Sequence, residues 1–138
     1  MSTRLQEKEE AILQILQHLA EESKKGIPII VEGKKDVEAL RAFCIEGPII
    51  SAKSGGKTFL DLVSEIEKCR ASEAILLLDF DRRGKEWTKK LKERLEKTHA
   101  KPNVGFWNDL WSLLGRELKD VEGLTAYMET LKSKISNS

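Results

Sequence analysis

Three times in succession a short apolar run ends in a tight turn and gives way to a charged stretch with apolar residues at helical spacing. IPIIV (27–31) precedes KDVEALRAF, and GPIIS (47–51) precedes TFLDLVSEIEKCR, where Phe59, Leu62, Val63 and Ile66 share one face. AILLLD (74–79) passes through the turn FDRRG into KEWTKKLKERLEK, with Trp87, Leu91 and Leu95 on one stripe. Runs this short and this continuously apolar read as strands buried on both faces. A helix after each strand returns the chain so that the strands lie parallel. The pattern therefore predicts an α/β fold, a mostly parallel four-stranded sheet with helices on both faces. PNVGFW (102–107) supplies the fourth strand, and Asp120 caps a last helix carrying Val121, Leu124, Tyr127, Met128 and Leu131. Ahead of the first strand, Leu5, Ile12, Leu16 and Leu19 stripe a leading helix that stops at Gly26. Residues 1–25 are accordingly an amphipathic helix packed on a domain of residues 26–138, and 138 residues hold one core of this kind.

In parallel βα units all strand carboxyl ends face one edge of the sheet, where ligands bind. Glu32 and Asp79 each directly follow an apolar strand. Both belong on that edge, at a separation that depends on strand order. Asp81 lies two residues beyond Asp79, so a continuing extended chain aims both carboxylates to one side and Phe80 to the other. Like charges brought together need a cation or a proton, and an all-oxygen set suits a hard ion such as Mg²⁺. Mg²⁺ held by few carboxylates keeps waters and engages phosphates, which points to phosphodiester chemistry. Gly33, lacking a Cβ, leaves room beside Glu32 for a phosphate or backbone. Asp81 reads equally well as the cap of the helix that follows it. Spacing alone leaves those two readings balanced.

With 24 Lys and Arg against 23 Asp and Glu, net charge indicates no class of partner, and electrostatics must be read locally. Lys34, Lys35, Lys53, Lys57, Arg82 and Arg83 fall in or beside the turns on the acidic edge, where phosphate oxygens fit among them. The mixed-sign charges of the third helix read as a solvated face. Trp107 and Trp111 stand four apart in an apolar stripe and read as core, with base stacking as the other use. Cys44 and Cys69 form no CxxC pair and read as buried free thiols in a reducing cytoplasm. No apolar run reaches the roughly 20 residues of a membrane span, and MSTRLQEKEE lacks a signal-peptide stretch. A cytoplasmic protein without a membrane partner is expected. His18 and His99 have no partner nearby in sequence and are assigned no chemistry.

Taken together, IIVEGKKD at the first strand end and AILLLDFDRRGKE at the third resemble the Toprim domain. That domain is shared by primases, topoisomerases, the ribonuclease that matures 5S ribosomal RNA, and overcoming-lysogenization-type nucleases. The resemblance covers most of residues 27–135. The family's glutamate motif matches Glu32 with Gly33, its DxD motif matches Asp79 and Asp81, and the glycine many members carry after it matches Gly84. With KDVEGL at 119–124, the whole chain is most similar to small stand-alone Toprim proteins of archaea and some bacteria.

The resemblance implies a Rossmann-like three-layer fold and Mg²⁺, with Mn²⁺ as the alternative ion, held by Asp79, Asp81 and Glu32. It makes these three acids the catalytic set, Glu32 acting as general acid or base; Lys34, Lys53, Lys57, Arg82 and Arg83, by their place in the turns beside them, are expected to position the phosphates. Topoisomerases often extend the motif to DxDxD, whereas Arg83 stands here, and Tyr127, the only tyrosine, lies on an apolar stripe. The zinc and helical modules of primases are absent as well. What is left is RNA phosphodiester cleavage or processing, or alternatively a non-catalytic RNA-binding or assembly subunit. So small a domain offers little grip on a long substrate, which makes room for a homodimer or a protein partner. A third reading, a nucleotide-binding ATPase, takes SGGKT (54–58) as a P-loop and ILLLD (75–79) as its Walker B strand, but Ser51 stands where that pattern needs glycine.

Overall fold

Helix α1 runs Thr3–Lys24 and buries Ile12, Leu16 and Leu19, the apolar stripe read from its spacing. The computed structural model describes residues 3–137, so the first two residues assigned to this helix lie outside the described part. The chain then alternates β1 (Ile29–Val31), α2 (Lys34–Ala42), β2 (Ile49–Ser51), α3 (Phe59–Lys68), β3 (Glu73–Leu76), α4 (Arg82–Leu95) and β4 (Lys101–Asn103). It ends with α5 (Gly105–Leu114) and α6 (Leu124–Ser136). A 3₁₀ turn, Ser54–Gly56, precedes α3. No described helix is long and apolar enough to cross a membrane.

The four strands form one sheet in the order β2-β1-β3-β4, and every neighbouring pair is parallel. Side chains alternate across it as strand geometry requires. Ile29, Val31, Ile75 and Leu77 face a core shared with α1, α2, α5 and α6. Ile30, Ile50, Leu76 and Leu78 face a second core built with α3 and α4. Helices thus cover both faces in three layers, and the α/β expectation is met with a sheet that is wholly rather than mostly parallel.

Four details differ from the sequence reading. The fourth strand covers only the start of PNVGFW: β4 ends at Asn103, whose carboxamide oxygen accepts from the Gly105 N–H at 2.8 Å, and Gly105, Phe106 and Trp107 open α5. Helix α4 begins at Arg82, so Arg82, Arg83 and Gly84 form its first turn instead of a loop, because the Asp81 side chain accepts from the Gly84 N–H at 2.7 Å and caps it. Asp120 does not cap α6, which starts at Leu124. Its carboxylate closes a turn by accepting from the Gly123 N–H at 2.9 Å, and this local bond competes with helix initiation at Val121. Both cysteines are free, but Cys44 is exposed, in the left-handed conformation (φ 64°) just after α2, and Cys69 is half-buried.

Candidate metal centre at the carboxyl edge of the sheet

Strand order decides which strand ends meet. From β1 the chain departs to β2 at one side, and from β3 it departs to β4 at the other. The carboxyl ends of β1 and β3 are therefore neighbours at the point where the winding reverses, the place where open α/β sheets bind ligands. Ile29 pairs with Ile75 and Ile30 with Leu76, and the Leu77 N–H continues the ladder onto the Ile30 carbonyl at 2.8 Å. In that register Glu32 comes level with the residue before Asp79.

The segment carrying Asp79 and Asp81 is held by α5 and by the chain ahead of α6. Both indoles of α5 donate to the Leu78 carbonyl, Trp107 at 2.9 Å and Trp111 at 3.3 Å. The Phe80 N–H donates to the Lys119 carbonyl at 2.7 Å. The Phe80 ring stacks on Trp111 and meets Trp107 edge-on, at centroid distances of 5.8 and 5.4 Å, with the Lys85 ammonium 4.2 Å from its centre. Core packing is thus the use of the tryptophans, as their stripe indicates. Their polar tips add a second role, fixing where the DxD segment leaves the sheet.

Asp79 is the electrostatic centre of the edge. Burial, and after it the charges of Asp36, Glu32, Asp81 and Asp120, push its carboxyl up to about 7. Its Oδ1 is buried and makes no hydrogen bond. An orphaned acceptor among like charges is costly unless a cation or proton meets it, so the donor chemistry here fits a hard divalent ion. Glu32 is buried, 6% exposed, and its Oε2 lies 3.0 Å from the Lys53 ammonium. Asp81 is exposed and spends Oδ1 on its helix cap. As these side chains stand, no three His, Cys, Asp or Glu among the described residues form a ready metal cage. The structure brings Glu32, Asp79 and Asp81 to one edge, with Glu32 turned to Lys53.

The predicted cations divide. Lys34, Arg82 and Arg83 are exposed on the first turns of α2 and α4, with Arg82 3.4 Å from Glu86. Lys57 is fastened, its ammonium 2.7 Å from both the Ser51 carbonyl and Glu65, which leaves its side chain 14% exposed. A lysine so held is not a P-loop lysine reaching out to phosphates.

Two acids of the edge escaped the sequence reading. Asp36 is 3% exposed and accepts from the Gly33 N–H at 3.0 Å and, across the fold, from the Glu122 N–H at 2.8 Å. It locks the turn after β1 to the segment before α6. The signal for it was its place inside IIVEGKKD, four residues after Glu32. Asp120, read only as a cap, adds its charge to the same edge. Asp36→Ala leaves two N–H groups without their acceptor and is expected to cost about 2 kcal/mol in urea unfolding; an unchanged midpoint would refute the lock.

A cavity of about 510 Å³ opens elsewhere, between α1 and α6, lined by Leu5, Lys8, Tyr127 and Leu131 among others. None of the edge acids lines it. The acids instead sit where exposed cations flank them, a setting suited to an extended polyanion.

Comparison with known proteins gives a consistent result. The model of the Toprim domain family matches residues 27–106. A UPF0292 protein of Methanosarcina acetivorans is 35% identical over 94% of this chain and 88% of its own length. One of Methanocaldococcus jannaschii is 34% identical over 86% of this chain and 91% of its own. A solved structure of an Aquifex aeolicus protein superposes with a TM-score of 0.64 at 28% identity, covering 79% of this chain and 94% of that one.

Proposed function

We propose, from the premise that this chain belongs to the Toprim domain family, that it holds Mg²⁺ with Glu32, Asp79 and Asp81 and cleaves or processes RNA phosphodiesters. The family carries the coarser half of that statement, metal-dependent work on nucleic acid. The observation that supports the rest is the buried, unpartnered Oδ1 of Asp79 amid four other carboxylates.

When bound, the metal supplies a Lewis acid that offsets charge on the phosphate oxygens. Asp79 and Asp81 hold it from the end of β3, and the cap bond leaves Asp81 one oxygen for this. Glu32, across the β1–β3 crevice, either completes the set or moves a proton to or from the attacking or leaving oxygen. Lys34, Arg82 and Arg83 contact phosphates at the rim of the same edge, while Lys57 steadies the loop after β2. RNA is the nucleic acid this reading takes, since Arg83 stands where a DxDxD motif would carry a third aspartate and Tyr127 lies on the stripe of α6 away from the acids.

The test is a cleavage assay on structured RNA in Mg²⁺ or Mn²⁺ beside a binding assay. Glu32→Gln is expected to lower cleavage by about a hundredfold or more while leaving RNA affinity near that of the unmodified protein. RNA binding that weakens steeply with salt, without cleavage in either metal, would replace this reading by the non-catalytic RNA-binding one.

A further inference from the structure

We propose that Lys53 is the built-in counter-ion of this site: its ammonium stands on Glu32 in the absence of metal and is displaced by the divalent cation, which releases it toward the bound phosphate. The inference rests on the metal reading above and adds to it how the site is kept neutral and how it opens.

Glu32 is 6% exposed, and a buried carboxylate without a partner is strongly destabilising. Lys53, 3.0 Å from its Oε2, is that partner, yet the lysine side chain remains 47% exposed. The loop treats its two lysines differently. Lys57 is fastened to a carbonyl and a carboxylate at 2.7 Å each, whereas the ion pair with Glu32 is the contact recorded for the Lys53 ammonium.

The backbone of Lys53 is pinned. Its N–H donates to the Glu32 carbonyl at 3.0 Å, following the bond from Ala52 N–H to the Val31 carbonyl at 2.9 Å. The ammonium can therefore leave Glu32 by rotation of its own flexible stem, with the β1–β2 ladder intact. Beyond it Gly55 and Gly56 both take the left-handed conformation (φ 66°), with no atom within 4 Å of where a Cβ would stand. The space over the loop is open to a ligand.

Charge decides the competition. The ammonium satisfies Glu32 and leaves the buried Asp79 Oδ1 without a partner. A divalent ion brings twice the charge and reaches several carboxylates together, so it prevails when present. Turning Glu32 from Lys53 to the metal also explains why no three acids form a cage in the arrangement described. The displaced ammonium, still tethered at the edge, becomes available to a phosphate oxygen.

The experiment compares the unmodified protein with Lys53→Met and Lys53→Gln. Mg²⁺ binding is followed by titration calorimetry, and melting is measured in EDTA and in saturating Mg²⁺. Both variants are expected to bind Mg²⁺ about fivefold more tightly, to melt lower in EDTA, and to regain the unmodified midpoint when Mg²⁺ saturates. In the unmodified protein the Lys53 ¹⁵Nζ and ¹³Cε resonances are expected to shift toward those of a solvated lysine as Mg²⁺ is added. Unchanged or weaker binding by the variants, or a melting deficit that persists at saturation, overturns the proposal while leaving the metal site standing. No Mg²⁺ binding by the unmodified protein overturns the metal reading and this inference with it. Should neither variant fold, Lys53 resonances that saturating Mg²⁺ does not move would overturn the proposal alone.

Discussion

Gly84→Ala is expected to destabilise the protein by about 3 kcal/mol or more, or to prevent folding, and to displace the Asp79 carboxylate with the strand end that carries it. A Cβ at position 84 would stand 2.0 Å from the Asp79 carbonyl oxygen and 2.7 Å from its carbon. Both are backbone atoms, so no side-chain rotation relieves the clash, and the first turn of α4 must move off β3. Helix propensity alone gives the opposite sign, because alanine in a helix is favoured over glycine by about 1 kcal/mol. The direction of the measured change therefore decides between local preference and close approach. Gly33→Ala is the control: that residue is extended, and its added Cβ would have only an Asp36 oxygen nearby, at 4.0 Å. It should cost no more than about 1 kcal/mol, because the N-cap preference for glycine over alanine is partly offset by the stiffer unfolded chain that alanine gives. Urea unfolding of the two variants measures both effects, and a Gly84→Ala protein as stable as its parent would refute the packing argument.

The second large effect is on pH dependence in the absence of divalent ions. Asp79 holds its proton more tightly folded, at about 7, than its ordinary value of 3.8, because burial and the surrounding carboxylates disfavour its charge. Its contribution to stability is therefore fully present below about pH 4 and is lost as pH rises through about 7. Solvent reaching this half-buried group reduces the full linkage value to about 1–2 kcal/mol. Asp79→Asn removes the charge. In EDTA the variant should be the more stable protein at pH 8 by that amount, and the gap should narrow at pH 5 and close only below about pH 4. Adding Mg²⁺ at pH 8 should stabilise the parent and leave the variant unmoved. Thermal melts at the two pH values with and without Mg²⁺ measure all of this, and a variant that melts lower than its parent at pH 8 in EDTA would contradict it.

How much was legible in the sequence follows from what each element depends on. The two central strands, β1 and β3, read clearly because they are buried on both faces, so IPIIV and AILLL are apolar throughout. Their ends read less well. The run 74–79 looks like one strand, yet β3 ends at Leu76 and only the Leu77 N–H carries its ladder further, since β4 pairs only with Glu73, Ala74 and Ile75 and the chain beyond is held by Trp107, Trp111 and Lys119. Asp81 had two balanced readings, and the structure realises the cap. Only one of its oxygens is used there, so the metal reading keeps a ligand. Lys57 reads as a phosphate contact by its place in the turn after β2, but the nearby Ser51 carbonyl and Glu65 hold its ammonium.

By itself the sequence determined the fold class and which acids stand at strand carboxyl ends, because side-chain periodicity and turn chemistry are local and are written along the chain. Only the tertiary structure decided that β1 and β3 are neighbours, so that Glu32 and Asp79 face the same crevice. It alone brought in Asp36, whose bond to Glu122 spans 86 positions, and turned Lys53 onto Glu32. The physical reason is that strand order and charge pairing are set by contacts between distant segments, which compete for the same buried volume and the same few cations. No local pattern records how that competition ends.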